Sequence, residues 1–280
     1  GTAGNVVVSG DATIDLEQGN DGPGGTVNFS ATTVSANGPG FTFVIDTSTT
    51  AAAAGGTVSL GNVNGAAGDF IEDFSVISTG GTTDGVITLN NNIQVDADGT
   101  NLGSVSLTGP VTLAANITID TESGGDENGG GVTIVGDVNA DDAGNQSRSF
   151  VVDARGSTAG GTLDLDNIGT GVNGNVDGGV TLRGDDITAL NIRTSATNGG
   201  GGDVNAGGVT IDADNGSLSI GNITAIGLNN GNGGVVDIDQ SSTDAANQSV
   251  GLGAISVFVS GTGTAGNVNI LAESAVTTGA

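Results

Sequence analysis

Cysteine, histidine, lysine, methionine, tryptophan and tyrosine are all missing from this 280-residue chain, and proline occurs only 3 times. Without cysteine there is no disulfide, no thiol chemistry and no thiolate metal site. Without histidine, cysteine, lysine or tyrosine, the usual catalytic bases and nucleophiles are gone. Only 7 phenylalanines represent the aromatics, too few for the core of a compact globular domain of this length. Valine, isoleucine, leucine and alanine must therefore fill a narrow interior. Basic residues are nearly absent too: 31 acidic side chains face four arginines, for a net charge of −27. A surface of that sign repels nucleic acid and anionic membranes, and leaves cations, salt-rich water or basic partners. No apolar run approaches the roughly 20 residues of a spanning helix, and no signal peptide is visible. The chain opens at Gly1 without a methionine, which reads as a processed form or a segment of a longer, secreted product.

What is abundant is glycine, at 54 residues, and it is placed regularly. GGTVNF at Gly24–Phe29, GGTVSL at Gly55–Leu60, GGVTI at Gly130–Ile134, GGTLDL at Gly160–Leu165, GGVTL at Gly178–Leu182, GGVTI at Gly207–Ile211 and GGVVDI at Gly233–Ile238 are copies of one element. DGVITL at Asp84–Leu89, GSVSL at Gly103–Leu107 and AGNVNI at Ala265–Ile270 are weaker copies. With Val6, Val27, Val58, Val86, Val105, Val132, Leu163, Val180, Val209, Val235 and Val268 as markers, the intervals are 21, 31, 28, 19, 27, 31, 17, 29, 26 and 33 residues. Repeats of this length built from short alternating segments mark a stacked array.

The fuller copies carry a second segment opening on Asn, as in Gly61-Asn62-Val63, Asn167-Ile168 and Gly221-Asn222-Ile223. A third ends in (V/I)-D-(T/A), as in Phe43–Thr47, Ile93–Ala97, Ile117–Thr121 and Phe150–Ala154. Alternation such as Leu163-Asp164-Leu165-Asp166 puts apolar residues on one face of a strand. No stretch is a convincing amphipathic helix. The expected fold is all-β: a single parallel β-solenoid over residues 1–280, with about ten coils of roughly three short strands, stacked about 4.8 Å apart. The 19- and 17-residue intervals are either coils lacking one strand or sides assigned the wrong phase. Gly1–Val6 recurs as Gly263–Val268, so both ends sit at one phase of the coil. Neither shows a cap, which predicts homo-oligomers formed by head-to-tail end stacking.

These Gly-pair strands, the Asn-led second strands and the (V/I)-D-(T/A) ends resemble the repeat regions of large secreted bacterial β-solenoid proteins: filamentous-haemagglutinin-like adhesins, autotransporter passengers and related surface fibres. The likeness covers nearly the whole chain and rests on repeat style. It implies an extracellular or cell-surface role in adhesion or scaffolding, with a cell-surface or glycan partner left open, and it supplies no catalytic residues.

Four same-face carboxylate pairs stand out: Asp96/Asp98, Asp164/Asp166, Asp212/Asp214 and Asp237/Asp239. None has an aromatic sugar platform beside it, so solvated strand positions explain them better than an enzyme does. Acid-dense turns offer calcium candidates instead: Asp21, Asp120 with Glu122 and Asp126, Asp137 with Asp141 and Asp142, and Asp185 with Asp186. Such loops supply the oxygen ligands Ca²⁺ takes, though turn aspartates equally serve their own backbone. Arg183-Gly184-Asp185 is an RGD tripeptide of the kind that arises by chance, in the setting of a strand corner. Sequons at Asn28, Asn116, Asn145, Asn215, Asn222 and Asn247 are expected in an Asn- and Thr-rich chain. Thr112, Thr118, Thr133 and Thr181 are the threonines of an ice-binding alternative, mixed with Asp, Asn and Ser in the other outward positions.

Overall fold

A computed structural model describes residues 4–19, 21–38, 40–63, 71–95, 102–122, 128–141, 147–157, 159–171, 175–196, 204–241 and 248–278. It is a parallel β-solenoid, and the described residues contain no helix. Every strand-to-strand ladder is parallel, and the register partners trace three lines down the rod. The first side runs Ala12, Phe43, Phe74, Val105, Val132, Leu163, Ile187, Leu218, Val250, Val276. The second runs Val27, Val58, Ile87, Val111, Val138, Ile168, Ile192, Ile223, Ile255. The third runs Val6, Val34, Val63, Ile93, Ile119, Val152, Leu182, Ile211, Ile238, Ile270. The chain visits the sides in that order, so each coil is a triangle of three short strands around one aliphatic column. Three of the phenylalanines, Phe43, Phe74 and Phe150, are fully buried in that column, and the rings of Phe43 and Phe74 stack with centroids 6.0 Å apart.

The first side stacks ten strands in an unbroken path, so nine steps lie between its two terminal rungs, one fewer than the ten marker intervals. The discrepancy has a physical origin. The Gly-x-Val marker does not stay on one side: it sits on the third at Val6, the second at Val27 and Val58, the first at Val105, Val132 and Leu163, and the third again from Val180 onward. The three shortest intervals, 21, 19 and 17 residues, are the steps at which the marker falls back by one side. Each spans about two thirds of a turn. No strand is missing there; the long connection has changed corners. Two markers also need moving by one residue, because Val86 and Val235 are exposed while Ile87 and Val236 face the core. At the ends, Val6 is register-equivalent to Ile270, two residues beyond Val268, so Val6 and Val268 share a face and a side with a shift of one pleat.

The chemistry of the corner explains the (V/I)-D-(T/A) … G-x-V wording. The Asp closes an Asx turn: its carboxylate accepts the N–H two residues on, from Ser48 to Asp46 at 2.9 Å, Glu122 to Asp120 at 3.2 Å and Arg155 to Asp153 at 3.3 Å. The next residue clasps the glycine that opens the following strand. Gly56 N–H donates to the Thr47 carbonyl at 2.8 Å, Gly161 to Ala154 at 2.6 Å, Gly207 to Thr194 at 3.0 Å and Gly234 to Ala225 at 3.0 Å. Where that residue bears a hydroxyl, the hydroxyl donates back: Thr47 to the Gly56 carbonyl at 3.0 Å, Ser78 to Gly85 at 3.1 Å, Thr121 to Gly130 and Thr194 to Gly207 at 2.7 Å. All four hydroxyl residues are fully buried, so the bond satisfies groups that water cannot reach.

The clasp glycines also stack in columns. A Cβ on Gly56 would collide with the Gly25 carbonyl, one on Gly85 with Gly56, one on Gly130 with Gly103, one on Gly161 with Gly130 and one on Gly234 with Gly207. Backbone passes directly over backbone there, and only glycine permits it. We expect Gly130→Ala to lower unfolding free energy by about 3 kcal/mol through overpacking. Thr121→Val, which keeps shape and removes one buried bond, should cost about 1–2 kcal/mol. Denaturant titration followed by circular dichroism checks both, and equal stability of Gly130→Ala and wild type would contradict the stacked column.

Candidate functional site

On the third side, one outward position carries charge rung after rung. Register pairs Gln94 with Asp120, Asp120 with Asp153, Asp153 with Arg183, Arg183 with Asp212, and Asp212 with Asp239. Their inward neighbours Ile119, Val152, Leu182, Ile211 and Ile238 are buried, so the period-2 pleat fixes the charged column outward. Arg155 joins it from the turn. Its backbone is caught by the Asx turn of Asp153 and its guanidinium doubles back on the same carboxylate, with Nε to Oδ1 at 3.0 Å and Nη2 to Oδ2 at 2.8 Å. Arg183 Nη1 donates to Asp153 Oδ2 at 3.3 Å from the next rung. Arg155 also reaches Asp212, two rungs on, at 3.5 Å. Asp153 is thus the hub of two guanidiniums, and Arg155 stitches across three rungs. Beside it lies a shallow groove of about 370 Å³ lined by Asp120, Glu122, Asp153, Arg155, Ser157 and Asp214.

The surroundings push these carboxyls apart. Burial holds Asp120 above the usual range, partly countered by the Glu122 N–H and reinforced by the charge on Asp153. Burial also raises Asp212, with repulsion from Asp214 behind it. Asp185 is raised by burial and by its neighbours Asp214 and Asp186, against the lowering effect of the Gly160 N–H. Burial pushes Asp153 up as well, but the hydrogen bonds and charge of Arg155, with Arg183, outweigh it and leave this carboxyl below the ordinary value. The chemistry open to such a groove is charge pairing. It offers two oppositely tuned carboxylates and a guanidinium, with Ser157 as the hydroxyl among its lining residues.

The calcium candidates fall in different places. Asp120 and Glu122 share the groove. Asp21 belongs to a turn in which Glu17 Oε1 accepts the N–H groups of Asp21 at 3.3 Å and Gly22 at 3.2 Å. Asp137 accepts from Asn167 Nδ2 at 2.9 Å, and Asp141 pairs with Arg148 at 3.0 Å. Asp186 accepts the Ser217 N–H at 2.8 Å, while Asp185 sits against Gly160. Asp126 and Asp142 lie outside the described residues, as do Asp96 and Asp98. Among the described residues no group of three or more acidic side chains is arranged to hold a metal ion.

The other carboxylate pairs serve the fold where their bonds are visible: Asp166 accepts the Gly136 N–H at 2.7 Å and Asp214 accepts from Ser241 at 3.1 Å. Arg183 and Gly184 of the RGD tripeptide are part of the strand Gly179–Gly184. Sequon asparagines form inter-coil bonds, Asn116 accepting from Ser149 N–H and Asn222 from Ala254 N–H. Thr133 is on the first side, Thr112 on the second, and Thr118 and Thr181 on the third.

Sequence reasoning missed Asp153 and Arg155 as the centre of this cluster. A signal was present: the four arginines of a strongly acidic chain all fall between Arg148 and Arg193. No protein-family model, curated protein or solved structure matches the chain.

Asp153 contributes stability that is present above the unfolded Asp pKa of about 3.9 and lost as pH falls through its depressed folded value. The raised Asp120, Asp185 and Asp212 act oppositely: their penalty is full at neutral pH and is relieved as pH falls through their folded values. We therefore expect the melting temperature to rise from pH 7 toward the ordinary Asp range and to drop below it. Asp153→Asn should flatten the acid-side drop and cost about 1 kcal/mol or less at neutral pH, because the cluster is partly solvated. A melting temperature falling monotonically from pH 7 downward would contradict this assignment.

Proposed function

We propose that the chain is a structural and adhesive element acting outside the cell. In this reading it stacks end to end on further β-solenoid coils to build a filament or surface fibre, in the manner of filamentous-haemagglutinin-like repeat regions. One observation carries the reading. Ile270 is 39% exposed, whereas Ile238, its register partner one rung inward, is 1% exposed. Val268 on the third side and Val276 on the first are exposed as well, although their register partners Val236 and Val250 are fully buried. A strand in this position pairs with another wherever a further parallel rung is supplied. The two ends also match. Val6 and Ala12 stand on the third and first sides with the same spacing as Ile270 and Val276. A further copy can therefore continue both ladders in parallel register. Cations such as calcium would enter as counterions to the acidic flanks.

Negative-stain microscopy at high protein concentration with calcium is expected to show filaments, and Ile270→Asp should reduce them to single short rods while leaving the circular dichroism spectrum intact. Wild-type particles that stay discrete at the mass of one chain would overturn the proposal.

A further inference from the structure

The outward column of the first side reads Thr13, Val44, Ser75, Ser106, Thr133, Asp164, Thr188, Ser219, Gly251, Thr277. In a chain of net charge −27, this column holds one charged residue. Its one glycine has no reason in the fold. A Cβ on Gly251 would meet the Leu218 carbonyl oxygen at 3.7 Å, an ordinary contact, and its φ is not left-handed. Glycine inside a strand weakens it, and marks places where something else approaches closely. The hollow it leaves is part of a groove of about 400 Å³ lined by Thr188, Ser219, Ile220, Gly251, Leu252 and Thr277.

The column is also complementary to its own reverse. Val44, its one aliphatic side chain, lies three rungs before Thr133, and Gly251 lies three rungs after Asp164. Turned end for end about the midpoint between Thr133 and Asp164, the column sets Val44 over Gly251, Thr133 over Asp164, Ser106 over Thr188 and Ser75 over Ser219. A valine meets a hollow, a hydroxyl meets the lone carboxylate, and hydroxyls meet hydroxyls.

We propose that two copies of this chain pair side by side and antiparallel through their first sides, with Val44 of each seated in the Gly251 hollow of the other. Such an isologous, two-fold contact places every complementary pair twice. Ten rungs at about 4.8 Å and strands about 14 Å wide give roughly 650 Å² per copy, or about 1,300 Å² in all, within the range of specific interfaces. The charged column of the third side then points away from the joint, and Asp15, Asp46 and Asp73 of the first side flank the neutral column. This lateral pairing is independent of end stacking.

The test is sedimentation in the Ile270→Asp background, so that growth in length does not mask pairing, at salt high enough to screen net charge. Wild-type side faces are expected to give a species of twice 26.6 kDa. Gly251→Val should weaken it at least about tenfold, and Val44→Gly combined with Gly251→Val, which exchanges knob and hollow, should restore it. A monomer throughout, an unaffected Gly251→Val, or a double variant no better than Gly251→Val alone would each overturn the proposal.

Discussion

Each coil of this rod must pass over the one below at a single fixed spacing, and the tightest crossing is the corner where a clasp glycine lies against the carbonyl of the glycine beneath. The aliphatic column supplies the free energy of folding, at about 25 cal/mol per Å² of apolar surface removed from water. The glycines decide whether successive coils can come close enough to share it. The buried hydroxyls of Thr47, Ser78, Thr121 and Thr194 then tie each corner shut, so that the loop between clasp residue and glycine can vary in length without disturbing the strands. Between Ser78 and Gly85 the clasp closes a short loop; between Thr194 and Gly207 it closes a longer one.

Because the clasp is a local device, it can move. It falls back around the triangle by one side at three points, and the third-side strands Phe150 to Asp153 and Val180 to Arg183 lie where the last of these shifts takes place. There the chain concentrates its arginines. Asp153 and Arg155 begin as an ordinary corner, an Asp closing its turn and the residue two positions later. The addition of Arg183 from one rung and Asp212 from another turns that corner into a mixed-charge cluster. The outward column of the third side carries charge at Asp120, Asp153, Arg183, Asp212 and Asp239, whereas the outward column of the first holds one charged residue, Asp164.

Much of the fold was legible because it is written at short range. Period-2 alternation, Gly pairs and Asx-turn aspartates need only neighbouring residues to be read, so strands such as Val132–Val135 and Val209–Asp214 were foreseeable. The phase shifts were not, since the same G-x-V wording serves all three sides and only the register between Leu163 and Ile187, a step of 24 residues, reveals which side is in play. The core positions at Ile87 and Val236 were misplaced because two adjacent β-branched residues fit the pattern equally well. The Arg155 cluster depends on which side chains three successive rungs bring together, a long-range fact that spacing in sequence does not carry. Some acidic turn residues, by contrast, were readable as Asp serving its own backbone, as Asp46 and Asp120 do.

The register itself is the claim on which all else stands, and the absence of native cysteine makes it directly measurable. Asp164 and Thr188 are partners across the step where the glycine corner moves, so Asp164→Cys with Thr188→Cys places two thiols on adjacent parallel strands, within the roughly 4.4–6.8 Å Cα separation that a disulfide spans. Mild oxidation should convert the pair quantitatively to an intrachain disulfide without change in the circular dichroism spectrum. Thiols that remain free under conditions that oxidise a model dithiol would show that these rungs are not neighbours, and the three-sided stack would be wrong.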